Sequence, residues 1–539
     1  MSKRTSYERS ELGHTTLKRA KRVDDNLPYD QVQEALGAQE EIKVVTKVAH
    51  WFRPKDLRIQ DNTALYHASE LAQSASKPLV CFYVNCAADE SWHGTSPARV
   101  DFMCEGLRIM QKELKELNIP LVFLECEDRK KIVQTAMDWM QKWEISHVFG
   151  NLEYEIDEMR RDLKLCQTAG DGIQVSLYHD QTVVEPGTML TGAGTPMKVF
   201  TPFFKAWLER LKDEPKLLDT NPPPTANPPS ANPPSAKKEL KSLFDTVVPQ
   251  PAKDKQFESE EDKKRIRKLW PVGHDAAAKR MDAFLKQIDH YAATRSNPAA
   301  NSTSRMSAYF SAGMFSVREA LQKVVDYNRG STDFTEAKAS NGVYGWVREI
   351  VFRELYRQTT MTTPHTSMNL PQNLKFDAVE WEDDQAGWEK WYEGKTGEPL
   401  VDAGMLLLKA EAYMHNRLRM NVSSYLYCNL LLDCRRGERY FAETLIDWDL
   451  SNNTQSWEPS YTVFNPVSQA EKNDPDGDYI RKWIPELKDV KGKAVFAPYA
   501  RLSKSEFEKL GYPKPHVDWK ETKARALDRF KRGLRNADI

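Results

Sequence analysis

Residues 221–236 read NPPPTANPPSANPPSA, and this stretch divides the chain into two parts with different hydrophobic periods. Proline has no backbone N–H and a fixed φ, so a run this dense favours polyproline II over helix or sheet. On its N-terminal side, short apolar runs at 44–52, 79–84, 121–124, 148–149 and 173–177 alternate with helix-period stretches at 62–72, 98–117, 129–143 and 155–169. Such βαβα alternation predicts a parallel sheet with helices on its faces. From 262 to 539 strand signals are few, and helical periods dominate at 276–292, 317–327, 345–359, 402–414, 416–432 and 436–447. The expected organisation is an α/β domain over 41–212, a solvated Pro-rich linker over 213–261 and a mainly α-helical domain over 262–539. Residues 1–40 are polar and charged without a sustained apolar period, and read as a disordered arm.

The chain has 539 residues, 40% of them apolar and 29% charged, enough to bury sizeable cores. A formal charge of -1 gives no global attraction to nucleic acid, so DNA binding would need a local basic surface. The seven cysteines are odd in number and include no CxxC, which favours a reduced intracellular protein over a disulfide scaffold or a zinc site. No apolar run is long enough to cross a bilayer, and no signal peptide is visible. Lys18-Arg19-Ala20-Lys21-Arg22 is a basic cluster of the kind that directs import into the nucleus; without import the expected location is the cytoplasm.

Specific motifs follow one another in a recognisable order. They begin with Trp51-Phe-Arg-Pro-Lys-Asp-Leu-Arg58, then Asp61-Asn-Thr-Ala-Leu65 and Lys198-Val-Phe-Thr-Pro-Phe-Phe204. In the helical half come Tyr291, Thr303-Ser304-Arg305-Met306-Ser307 and Gly345-Trp346-Val-Arg-Glu349-Ile-Val-Phe352-Arg353-Glu-Leu-Tyr356. Gly394-Lys-Thr-Gly-Glu-Pro-Leu-Val-Asp402, Tyr413-Met-His-Asn416-Arg417-Leu-Arg419-Met420, Gly437-Glu-Arg-Tyr440 and Asp447-Trp448-Asp449-Leu450 complete the set. Together these segments resemble the DNA photolyase/cryptochrome family, and within it the class I photolyases that act on cyclobutane pyrimidine dimers. The resemblance runs from about residue 44 to 526, interrupted by the linker; the turn after Trp51 carries one extra residue.

The resemblance implies a Rossmann-like α/β domain followed by a helical FAD-binding domain. It implies a monomer that repairs pyrimidine dimers in DNA by light-driven electron transfer from reduced FAD, with no metal. Tyr291, Thr303, Ser304, Arg305, Met306 and Ser307 fall on the segment that holds the FAD phosphates. Hydroxyls, backbone N–H groups and a helix start suit a pyrophosphate, although an ordinary N-cap cluster would read the same. Arg419 and Asp447 would pair beside the isoalloxazine, with Trp346, Asn416, Trp448 and Asp449 around it; the alternative is a structural salt bridge. Asn453 would face flavin N5, since counting back from Trp457 and forward from Asp447 agree, whereas aligning the asparagine pair gives Asn452.

Glu349 is implied as the acid that hydrogen-bonds the flipped dimer, with Asn416 as a second polar contact. Phe352, Arg353, Tyr356 and Arg417 would join them at the DNA mouth, where a solvated helix face would look alike. Asn151-Leu-Glu-Tyr-Glu155 resembles the edge of a folate antenna site, with Glu155 accepting from the pterin of a methenyltetrahydrofolate; the alternative is a solvated helix start with favourable acids.

Departures from the family pattern stand beside the matches. The two tryptophans that sandwich the dimer fall at Phe352 and Pro459, and the loop after Ser460 is short. Base–aromatic stacking contributes about 1–3 kcal/mol per base, so lesion binding is expected to weaken. Trp457 and Trp381 match the inner and outer members of a three-tryptophan electron chain, but its middle member falls at Cys434. Photoreduction of the flavin should slow there unless rings such as Tyr425, Tyr427, Tyr440 or Trp448 provide a detour. The expected function is dimer repair; the alternative is a blue-light photoreceptor or a degenerate paralogue that binds FAD without efficient repair.

Overall fold

A computed structural model describes residues 15–227 and 242–537. Five strands, β1 (Val48–Phe52), β2 (Leu79–Asn85), β3 (Leu121–Glu125), β4 (His147–Asn151) and β5 (Gln174–Tyr178), form one sheet ordered β3-β2-β1-β4-β5. Every neighbouring pair is parallel, with Val48 opposite Leu79 on one side and His147 on the other. Buried on both faces, these strands carry continuous apolar runs. Alternate side chains then feed two cores. Val48, Phe52, Leu79, Cys81, Tyr83, Leu121 and Phe123 point to one. Ala49, Trp51, Val80, Phe82 and Val122 point to the other, with residues of the helices Ile132–Lys142 and Ile156–Ala169.

The first of these cores does not stop at the domain boundary. It takes in Met281, Phe284, Ile288, Phe315, Trp346 and Ile350 from the helical half, so the two domains share one apolar interior. A buried ion network reinforces the junction. Arg318, on the helix Val317–Tyr327, bonds Asp61 at 2.9 Å and Asp180 at 2.8 Å, and Asp180 also pairs with Arg58. A second core, from Phe376 to Phe530, belongs to the helical half alone. Its Trp391 is fully buried, and the indole N–H is satisfied by the carbonyl of Val422 at 2.9 Å.

Two expectations need correction. The segment read as a disordered arm holds the helices Leu17–Asp24 and Pro28–Gly37, the first capped by Thr16 and the second started by proline. Val32 packs with Leu152, Tyr154, Met159 and Met361, and Val23 with Ile156 and Met368. Asp24 pairs with His365, so this extension touches both domains. Residues 1–14 lie outside the described residues.

The linker is likewise only partly free. Asn227 is buried and bonds both backbone groups of Leu79, Asn221 bonds Asp61, and Leu243 and Val248 are buried. Residues 228–241, including the later Pro-rich repeats, lie outside the described residues.

Candidate active site

The helix Asn341–Thr362 is the spine of the site. Ser340 caps its start, and Gly342 allows it to approach the carbonyl of Ile288, which a Cβ would meet at 1.8 Å. Across this approach Glu349 forms an ion pair with Arg295. Both side chains are about one-third exposed, so the pair sits at a mouth rather than in the core. Arg417 donates to Ser296 Oγ at 3.2 Å, and Asn416 is exposed at the start of the helix Asn416–Ser424. Arg295 lies four residues after Tyr291, one turn on, and its cationic form is held by Glu349 against the opposing effect of burial. That spacing was the only sequence signal for it, and Arg295 and Ser296 went unread.

The other residues expected at the mouth behave differently. Arg353 donates its guanidinium to the carbonyls of Gln181 and Phe310 in the domain junction, where burial pushes its pKa down to about 9. It is therefore turned away from Glu349. Phe352 lies face to face on Phe200, with centroids 3.4 Å apart and planes 3° from parallel. Tyr356 offers its carbonyl to Gln455 at 2.8 Å. Pro459 lines a pocket with Trp381 and Cys434.

Arg419 and Asp447 make the expected fork. Arg419 Nη2 meets the two Asp447 oxygens at 2.9 and 2.7 Å, and Nε donates to the carbonyl of Met414 at 2.7 Å. Asp447 is almost wholly buried and Arg419 about one-quarter exposed, so the guanidinium is held in place with one edge open. Asp449 does other work. Its carboxylate binds Arg357 at 2.7 Å and caps the helix Leu450–Ser456. Burial would raise its pKa, but Arg357 and then Lys55 hold it far below the carboxylate range. Asn453, on that capped helix, donates to the carbonyl of Glu438 at 2.9 Å.

In the phosphate segment, Arg305 has a left-handed backbone (φ 50°) that turns the chain into the short helix Ser307–Ser311. Its guanidinium is bound to Glu411 at 2.7 Å and lies over Tyr413, and Met306 is buried in the shared core. These two thus contribute backbone, leaving Thr303, Ser304 and Ser307 as partly exposed hydroxyls. Tyr291 and Trp346 pack against Phe284, at 5.6 and 5.8 Å.

A cofactor fits this set. Ser302 Oγ, His415 Nε2 and Trp448 Nε1 are buried polar atoms without a partner among the described residues. Each is adjacent in sequence to a segment expected to hold FAD. Unpartnered buried polar groups are costly unless a ligand satisfies them. Burial lowers the His415 pKa to about 4, so it meets such a ligand as a neutral ring.

Trp457, Cys434 and Trp381 line one pocket. Glu155 lies elsewhere, at the start of the helix Ile156–Ala169. It is buried rather than solvated. Lys55 pairs with one of its oxygens, and the other has no partner among the described residues.

The chain resembles known proteins over most of its length. The chain matches the family described as DNA photolyase over residues 48–228 and the FAD binding domain of DNA photolyase over residues 346–532. A Neurospora crassa protein named deoxyribodipyrimidine photo-lyase is 36% identical over 96% of this chain and 88% of its own length. A Salmonella typhimurium protein of the same name is 33% identical over 90% of this chain and 99% of its own. The crystal structure of a class III photolyase from Agrobacterium tumefaciens superposes with a TM-score of 0.73 at 29% identity, covering 93% of this chain and 100% of that one. A Synechocystis cryptochrome, 23% identical with a TM-score of 0.73 over 90% of this chain and 100% of its own, shares the fold.

Proposed function

The chain belongs to the DNA photolyase family, and we infer from this that it splits cyclobutane pyrimidine dimers in DNA with light and reduced FAD. The observation that carries the reading is the buried-edge ion pair of Arg419 with Asp447, in a chain similar over nearly its whole length to a protein named deoxyribodipyrimidine photo-lyase. Reduced FAD, when bound, supplies a light-driven one-electron donor. The protein's own contribution is binding, orientation and charge. Arg419 would meet the anionic edge of the ring system, with Asp447 fixing the fork. Thr303, Ser304 and Ser307 would bind phosphate oxygens.

At the mouth, the Arg295–Glu349 pair offers one cation and one carboxylate. A flipped pyrimidine dimer presents ring N–H donors to the carboxylate and carbonyl oxygens to the guanidinium. Negative charge grows on those oxygens when the dimer takes an electron, so the cation stabilises the state in which the cyclobutane bonds break. The expected test uses purified, chemically reduced protein on an oligonucleotide with one thymine dimer. Blue light should restore the thymines and darkness should not. Lit protein that binds FAD and the lesion yet leaves dimers intact would favour a photoreceptor.

Three finer readings go with it. The orphaned oxygen of Glu155 supports a methenyltetrahydrofolate antenna, tested by reconstitution and energy transfer to the flavin. Lys18, Arg19, Lys21 and Arg22 are exposed, which supports nuclear import, tested by localising a fluorescent fusion. A monomer is the expected state, tested by light scattering.

A further inference from the structure

The interior of the helical domain holds a second aromatic path away from Trp457. The ring of Trp457 meets that of Trp391 edge to face, with centroids 6.2 Å apart and planes at 74°. Trp391 stacks on Trp388 at 5.3 Å and 21°. Trp388 in turn touches Tyr392 at 5.7 Å and Tyr440 at 5.9 Å. Exposure rises along the series: Trp457 and Trp391 are buried and Trp388 is partly open. Gly437 is what lets the first ring into place, since a Cβ there would lie 2.2 Å from Trp457. The alternative route would cross the pocket that Trp457 and Trp381 share with Cys434, where the sequence places a thiol instead of a ring. Trp381 itself packs on Phe530, at 5.9 Å.

We propose that Trp391 and Trp388 carry electrons from the surface to Trp457, in place of the path interrupted at Cys434. The proposal rests on the FAD reading above. Trp457 gives one electron to the light-excited oxidised cofactor and is refilled from Trp391, which is refilled from Trp388. The indole N–H of Trp391 is held by the buried carbonyl of Val422, so an oxidised Trp391 keeps its proton and stays strongly oxidising. Trp388 reaches solvent and can lose its proton there. The guanidinium of Arg436, 4.5 Å from its ring centroid, disfavours a cationic Trp388 and favours the neutral radical. That radical regains one electron and one proton from a soluble thiol, and two thiyl radicals pair as a disulfide. The rings therefore end each cycle unchanged.

The test compares Trp391→Phe, Trp388→Phe and Trp381→Phe in FAD-loaded protein, by transient absorption of the tryptophanyl radical, by pulsed EPR and by photoreduction with added thiol. Loss of Trp391 or Trp388 should remove the long-lived neutral radical and slow photoreduction by roughly tenfold or more, while loss of Trp381 should change it less than about twofold. Cys434→Trp added to Trp391→Phe should restore photoreduction through Trp381, which a merely misfolded protein would not allow. A wild-type radical yield in Trp391→Phe, or its loss in Trp381→Phe alone, overturns the proposal. If Trp391→Phe fails to take up FAD, Trp388→Phe at the surface decides by the same criteria. A wild-type protein that binds no FAD would overturn the functional reading instead, so the two failures are distinguishable.

Discussion

Arg419 is a planar guanidinium whose orientation depends on two bonds to Asp447 and one to Met414. A charge-assisted hydrogen bond contributes about 1.5–3 kcal/mol, so Arg419→Ala should weaken FAD binding by roughly 10- to 100-fold. Flavin fluorescence during titration of the apoprotein reads this out. Arg419→Lys should recover only part of the loss, because a single ammonium cannot reach Asp447 and the Met414 carbonyl from two fixed nitrogens. Glu349→Gln should slow repair by roughly tenfold or more while changing lesion affinity far less, since the carboxylate anchors Arg295 where charge develops. Single-turnover repair against a binding titration separates the two; equal losses would mark Glu349 as structural. The fork was legible in sequence because both members sit in short motifs. The resemblance places Arg353 at the mouth, one helix turn on from Glu349. In the structure its guanidinium is bonded instead to the carbonyls of Gln181 and Phe310.

At the scale of elements, the parallel sheet was readable because strands covered on both faces are unbroken apolar runs. The N-terminal helices were not. Ala20, Val23 and Val32 are too sparse among charged residues to make a visible period, and their partners Leu152, Tyr154, Met159 and Met361 lie far away in the chain. Helical stability here comes from tertiary packing, which composition does not report. Val32→Ala removes two buried carbons and should cost about 1.5 kcal/mol. Hydrogen exchange should show faster opening of Pro28–Gly37, with the sheet protected as before; unchanged exchange would mean the helix is not held by this contact. The Pro-rich segment was read by composition as solvated, yet Asn221 and Asn227 bond its start to the sheet domain, a role no periodicity signals.

The whole molecule behaves as one unit because one face of the sheet and the helical half bury the same core. Two buried aspartates at the turn that follows β1 and at the end of β5 give its stability opposite pH dependences. Asp180 is held below the carboxylate range: burial opposes this, but Arg58 and Arg318 outweigh it. Its contribution is fully present above about pH 4 and is lost as pH falls through the depressed folded value. Burial pushes Asp56 up to about 7. Its contribution is present below about pH 4 and is lost as pH rises through about 7. Asp56→Asn should therefore flatten the fall in stability between those limits, as read by denaturant titration at several pH values; an unchanged slope would mean Asp56 is ionised in the fold.

Light action on the intact, flavin-reduced protein bears on everything at once: the yield of restored thymines per incident photon, measured across the near-ultraviolet and blue with a thymine-dimer oligonucleotide. The yield should follow the absorption of reduced FAD, vanish in the dark and vanish when the flavin is kept oxidised. A protein that holds reduced FAD and binds the lesion, yet restores no thymine at any wavelength, would contradict dimer repair.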